Sequence, residues 1–276
     1  MVSPKRIVRA LLPPFIFSIY GKFKRQEAYQ GMWSGNYPAW GAAAAQCQGY
    51  DDKSILEKCK KALLQVKAGV AVYERDSVVF DKKQYSWPLL AALQKVALED
   101  GRLCVLDFGG SLGSTYFQNK DFINLPDIEW CIVEQSNFVA CGQRYFEDHQ
   151  LKFFDTIEQC FEVCRPNVLL LSSVLQYLEQ PYNLINKFLS FKFPNIIVDR
   201  TSFIDNGGSP RLTIQNVPDS IYKASYPCWF FNETEFIKAF AGYNPAADFN
   251  SYADADQVSD DGKRLYWKGF YFKPNN

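Results

Sequence analysis

The chain predicts an α/β fold, a mainly parallel sheet covered by helices on both faces, on three observations. From residue 103 onward, short apolar runs of strand length alternate with helix-sized gaps. One of these runs, "NVLLLS" at 167–172, is almost wholly apolar, as a central strand buried on both faces must be. The first run, "LCVLDF", passes directly into "GGSLGS", and a glycine-rich turn between a strand and a helix brings backbone close to a ligand.

At 276 residues the chain suits one large domain with extra segments rather than two full domains. Residues 1–30 form a basic-apolar segment. Its apolar part is interrupted by Arg9 and Pro13-Pro14, too short and broken to span a bilayer, and no small-residue cleavage site follows. Lys5, Arg6, Arg9, Lys22, Lys24 and Arg25 flank it, an arrangement that fits peripheral contact of residues 1–25 with an anionic membrane surface or, equally, packing against the domain.

A helical cap is predicted over 31–100. "GAAAA" at 41–45 starts one helix, "KSILEKCKKALLQVKAG" at 53–69 has apolar residues at helical spacing, and "WPLLAALQKVALEDG" at 87–101 has Pro88 in its first turn and Gly101 at its end. The remaining domain, 101–276, holds five strands at 103–108, 129–134, 151–154, 167–172 and 195–200. The alternation then fails over 201–230, a long aromatic-rich insert. A helix follows at "NETEFIKAFAGY", with Asn232 and Glu235 as a capping box, and two closing strands make a hairpin at one sheet edge.

Composition narrows the function. Lys plus Arg equals Asp plus Glu at 30 each, so there is no electrostatic footprint for nucleic acid. Aromatics reach 16%, suited to a stacking pocket for a flat or sugar-like small molecule. The eight cysteines are scattered, with no CxxC pair, so the spacing signals neither a metal site nor a disulfide framework; buried thiols in a reducing cytoplasm are the expectation. Oligomeric state is not legible.

At the turn, Gly109, Gly110 and Gly113 let backbone approach a ligand, and a helix from Ser114 would aim free N–H groups at it. The next strand ends in Glu134, 27 residues after Asp107, where a carboxylate can accept both ribose hydroxyls of an adenosine. The dinucleotide pattern GxGxxG is broken and the phosphate-loop GK is missing, which disfavours an NAD oxidoreductase or a nucleotide triphosphatase.

"VLDFGGSLGS" resembles the first motif of the class I S-adenosylmethionine (SAM) methyltransferases, roughly V-L-D-x-G-x-G-x-G, with Ser111 where that family has its central glycine. "SSVLQYLEQP" at 172–181 is similar to the segment after the fourth strand of the superfamily. More narrowly, "GNYPAW", "YERDSVVF", "LDFGGSLGS", "SSVLQYL", "VDRTSF" and "SYPCWFF" resemble an uncharacterised methyltransferase-like family from bacterial surface-polysaccharide gene clusters, over about Trp33 to Lys273.

The resemblance implies a Rossmann-like sheet of about seven strands with the last antiparallel, and SAM as cofactor. Asp107 would steer the methionine amino group, Gly109 and Gly113 would line the methionine end beside Gly110, and Glu134 would hold the ribose. Phe154 and Asp155 fall where the superfamily contacts adenine, and Ser172 at the tip of the fourth strand. Tyr177, Asp199 and Arg200 are the candidates for catalysis; Glu74, Arg75, Tyr226 and Trp229 are those for the acceptor, a sugar or small metabolite of envelope synthesis. No metal is implied. A non-catalytic adenosine-binding module at the membrane is the alternative.

Overall fold

The computed structural model describes residues 32–47, 53–123, 125, 128–205, 207–217 and 224–275; the segment 1–30 and its membrane contact lie outside them. The N-terminal region contributes strand β1 (Trp33–Ser34), helix α1 (Trp40–Ala44), helix α2 (Lys53–Lys67), strands β2 (Tyr73–Arg75) and β3 (Val78–Phe80), and helix α3 (Trp87–Asp100). Pro88 sits in the first turn of α3, where its missing N–H costs nothing, and Gly101 ends it in the left-handed conformation at φ 68°.

The alternating region then runs β4 (Leu103–Phe108), α4 (Ser114–Ile123), β5 (Ile128–Val133), α5 (Ser136–Tyr145), β6 (Leu151–Phe154), α6 (Ile157–Val163), β7 (Val168–Ser172), α7 (Pro181–Ser190) and β8 (Ile196–Asp205). After it come β9 (Arg211–Asn216), β10 (Ser225–Phe230), α8 (Glu233–Ala239), β11 (Tyr243–Asn250), the short β12 (Gln257–Val258) and β13 (Arg264–Pro274). The central sheet has the order β11-β13-β8-β7-β4-β5-β6, with β12 beside β13. Strands β4 to β8 are parallel, while β13 and β11 pair antiparallel. This is the Rossmann-like α/β arrangement expected from the sequence.

Side chains alternate between faces along a strand, and the two apolar layers follow that alternation. Leu103, Val105, Trp130, Ile132, Leu151 and Phe153 face one layer with α2 to α5. Leu106, Cys131, Val133, Leu169, Leu171 and Val198 face the other with α6, α7 and α8. No helix among the described residues is long and apolar enough to cross a membrane.

Three stretches differ from the sequence reading. The span 31–100 is not wholly helical: strand β1 lies in it, and "YERDSVVF" folds as the antiparallel β2–β3 hairpin, turning at Asp76 and Ser77 with positive φ. Strand β8 continues five residues beyond Arg200, to Asp205, because β13 pairs antiparallel along it from Phe272↔Ile196 to Arg264↔Asp205. The stretch 201–230 is not irregular either: β9 and β10 form an antiparallel pair, and β1 joins the free edge of β9 as a small three-stranded sheet. The alternation in "RLTIQN" buries Leu212 and Ile214, but its partner β1 lies far away in the sequence.

Candidate functional site

The turn after β4 is held by its glycines and by the strand beside it. Gly109 has φ 73°, and a Cβ there would stand 2.4 Å from Val174 Cγ2. At Gly110 a Cβ would stand 2.6 Å from Cγ of Asp107, so the missing side chain is what lets the Asp107 carboxylate tuck beneath the turn. Ser111 adopts φ 53°, the left-handed geometry glycine takes most easily, and its N–H donates to Glu134 Oε1 at 3.2 Å. Glu134 Oε2 accepts from Gln135 N at 2.8 Å, and Glu134 N donates to Phe154 O at 3.2 Å. Turn and carboxylate are therefore one hydrogen-bonded unit at the carboxyl ends of neighbouring strands.

That unit forms one wall of a cavity of about 780 Å³. Asp107, Gly109, Gly110, Glu134, Asp155 and Ser172 all line it. Gly113 and Phe154 do not. Gly113, at φ 102°, lets α4 approach β6, where a Cβ would meet Leu151 Cδ2 at 3.2 Å. The ring of Phe154 packs on the second apolar layer, leaving only its carbonyl to fix Glu134.

The opposite wall comes from distant segments. The β2–β3 hairpin brings Glu74, Arg75 and Asp76, and Tyr226 arrives on β10. Glu74 is buried, accepting from Ser114 Oγ at 2.6 Å and from Ser77 N at 3.3 Å. Arg75 donates to Gln84 Oε1 at 3.1 Å and lies over the rings of Phe80 and Tyr252. Trp229 is off the cavity: its indole N–H donates to Leu178 O at 3.1 Å and its ring stacks on Trp40.

The three candidates for catalysis meet here and differ in chemistry. Tyr177 donates to Gln215 Oε1 at 2.9 Å, and burial holds its phenol well above the ordinary range, so it stays protonated. Arg200 donates through Nη2 to Asp76 Oδ2 at 3.0 Å and through Nε to Asp254 Oδ2 at 3.1 Å. Burial opposes its charge, but Asp76 and Asp254 outweigh that and keep it firmly cationic. Asp199 is buried, its Oδ1 has no hydrogen-bond partner, and burial pushes its carboxyl up to about 6, against the nearby Arg200 charge. Of the three, Asp199 has the properties of a proton acceptor near neutral pH.

Burial raises three further carboxyls of the cavity, whereas the Arg200 and Arg75 charges hold Asp76 below its ordinary value against burial. Asp107 is pushed up to about 7, opposed by the indole N–H of Trp130 at 3.0 Å and reinforced by the neighbouring Glu134 charge. Glu74 is pushed up to about 7, and Glu134 is raised against the two N–H groups it accepts from. Four raised carboxyls around one cavity suit a cationic guest, whose charge would favour their ionised forms.

Backbone strain gathers in the same place. Among the described residues, six non-glycine residues have positive φ, and five of them (Asp76, Ser77, Ser111, Ser173 and Arg200) line this cavity. Such conformations cost about 1–3 kcal/mol each and persist where surrounding structure over-determines them, often at functional sites. Asp254, Gln215, Trp33 and Trp267 also line the cavity but carry no local sequence signal; strand pairings formed across the whole chain bring them in.

No protein-family model matches the sequence, and no curated protein matches it. Solved structures do. The chain is similar to the N-terminal domain of EvdMO1, determined in the presence of SAH and D-fucose, with 14% identity over 82% of this chain and 98% of that one, at a TM-score of 0.46. It is also similar to a S-adenosylmethionine-dependent methyltransferase from Clostridium acetobutylicum, with 9% identity over 70% of this chain and 93% of that one, at 0.43. A third is the N-methyltransferase NodS from Bradyrhizobium japonicum in complex with SAH, with 11% identity over 71% and 90%, at 0.40.

Proposed function

We propose that this protein is a SAM-dependent methyltransferase that methylates oxygen or nitrogen of a sugar or other small metabolite of envelope polysaccharide synthesis. The observation that carries the reading is the Ser111–Glu134 hydrogen bond, 3.2 Å long, which joins the glycine turn and the strand-end carboxylate on one cavity wall. The donor set fits the cofactor. Each Glu134 oxygen has one backbone N–H partner and a lone pair left for a ribose hydroxyl, Asp107 and Gly109 stand on the same wall, and Gly110 leaves the space a side chain would fill. The raised carboxyls suit a guest bearing a positive sulfur and an ammonium.

When bound, the cofactor supplies a methyl group already activated by positive charge on sulfur. The chain's own residues then have two tasks. The first is alignment of the acceptor, which can supply about 7–11 kcal/mol; the opposite wall does this with Tyr226, Arg75 and Glu74. The second is proton removal: Asp199 Oδ1, unpartnered and near neutrality in its pKa, takes the proton that the acceptor hydroxyl or amine gives up. Arg200 holds the hairpin tip and the Asp254 loop around that point.

Calorimetric titration of the purified protein with SAM and SAH tests the reading. Binding that is lost or strongly weakened in Glu134→Ala is expected; equal affinity in the variant, or none in either protein, overturns it. Methyl transfer to nucleotide sugars, abolished in Asp199→Asn with cofactor affinity retained, is the expected activity result. Cofactor binding without turnover on any such acceptor would instead favour a non-catalytic module.

A further inference from the structure

The cysteines include no CxxC pair, yet the fold brings three of them, two spaced as C-x3-C, to one point. Cys131 lies on β5, Cys160 on the inner face of α6, and Cys164 four residues later at the C-cap of α6, its N–H donating to Cys160 O at 2.8 Å. Their Sγ atoms all lie within 4.8 Å of one another. They are 0%, 0% and 2% exposed, and all are free thiols. Leu106, Val133, Ile157 and Leu169 belong to the same apolar layer, so the immediate packing is hydrocarbon.

We propose that Cys131, Cys160 and Cys164 form a closed thiolate site for one soft metal ion with a filled d shell, Cu(I) or Zn(II), separate from the cavity chemistry. A metal–sulfur bond of about 2.3 Å places ligating sulfurs about 3.8–4.0 Å apart. From separations of at most 4.8 Å, each thiol needs to move inward by well under an ångström. Soft thiolates select these ions over hard ones.

Each ligating thiol gives up one proton on binding, leaving an excess of negative charge. Lys152, the register partner of Cys131 on β6 and paired with Glu129 Oε1 at 3.4 Å, is the cation that stands beside the cluster. Cys104, on the neighbouring strand β4, belongs to the same apolar layer but lies outside the set of sulfurs within 4.8 Å of one another, so a four-coordinate ion would have to draw it in.

The bound ion would tie β5 to α6. Cys131 is three residues before Glu134, and α6 begins two residues after Asp155, so the brace lies directly behind two groups of the cavity wall.

The test is anaerobic titration of the reduced full-length protein with Cu(I), and separately with Co(II) as the optical substitute for Zn(II). One equivalent is expected to develop a thiolate-to-metal charge-transfer band, absent from Cys131→Ser and Cys160→Ser and retained in Cys228→Ser, which alters a buried cysteine elsewhere. A band with Cu(I) that survives Cys104→Ser identifies the three-coordinate site; a Co(II) band lost in Cys104→Ser identifies the four-coordinate one. Since core variants can lose the fold, peptide mapping of the wild-type protein after brief alkylation in mild denaturant gives a second readout. Metal should protect Cys131, Cys160 and Cys164 selectively. No band with either ion, or protection that falls instead on Cys47, Cys59 and Cys141, overturns the proposal.

Discussion

The two ends of the parallel sheet treat their buried polar groups in opposite ways. At the amino ends of β7 and β8, Asn167 Oδ1 accepts from Cys104 N at 2.8 Å while its Nδ2 donates to Asp100 Oδ2 at 2.7 Å and Arg102 O at 3.1 Å. Asn195 Nδ2 donates to Asn167 O at 2.9 Å, and its Oδ1 accepts from Tyr271 Oη at 2.6 Å and Lys273 Nζ at 3.0 Å. Every side-chain donor and acceptor atom there has a partner. At the carboxyl end of the sheet, Asp199 Oδ1 and Gln176 Oε1 have none, carboxyls are raised, and Ser111, Ser173 and Arg200 hold positive φ. A satisfied network closes one end; unspent hydrogen-bonding capacity and strain mark the end shaped for a guest.

Four measurements break or sharpen this contrast. The largest effect is expected from pH. Asp107 and Glu74 keep their protons in the fold up to about 7, and Asp199 up to about 6. In the unfolded chain such groups ionise near 4, so between those limits the native state binds more protons and stability falls as pH rises. The loss should be on the order of a few kcal/mol from pH 4.5 to 7.5 in urea melts. Glu74→Gln should flatten the slope; an unchanged slope would remove burial of that carboxyl as its source.

Next, Asn167→Ala leaves the Cys104 N–H and the Arg102 carbonyl without their partner, each such buried orphan costing about 1–3 kcal/mol. A stability loss of about 3 kcal/mol with unchanged cofactor affinity is expected, measured by chemical denaturation beside calorimetry. Glu134→Ala should do the reverse: charged hydrogen bonds worth about 2 kcal/mol in total correspond to a roughly 30-fold loss of SAH affinity, with a smaller stability loss than Asn167→Ala because the Ser111 and Gln135 N–H groups it frees line the cavity, where water can take the place of the carboxylate. The smallest effect belongs to Ser111→Gly, which relieves the left-handed strain and should stabilise by about 1 kcal/mol, raising Tm by roughly 2–4 °C. A lower Tm would show that the Ser111 side chain contributes more than its backbone costs.

What the sequence made legible was local. β4 and β6 have the predicted bounds, and the other parallel strands begin within one residue of theirs, because apolar runs framed by turn residues specify a buried parallel strand. The turn at 109–111 and Glu134 could be read because a strand end and its following turn fix them within a few residues. The far wall could not be. Arg200 meets Asp76 from 124 residues away and Asp254 from 54, and neither spacing leaves a periodic trace. The sheet of β1, β9 and β10 was hidden for the same reason, since a two-residue strand acquires its meaning only from its partner. Cys160 and Cys164, four residues apart, could have been paired from the sequence, but Cys131 could not, because β6 and its flanking loops intervene before the packing of α6 brings the three together.

The bond from the Trp130 indole N–H to Asp107 has a use beyond structure. Indole emission responds to a nearby charge, and this ring is sealed from solvent, touching the carboxyl that sits under the glycine turn. In a background where the other five tryptophans are replaced by phenylalanine, its fluorescence becomes an internal gauge that reports, without any added label, when Asp107 gains or sheds its proton and when a positively charged guest arrives above it.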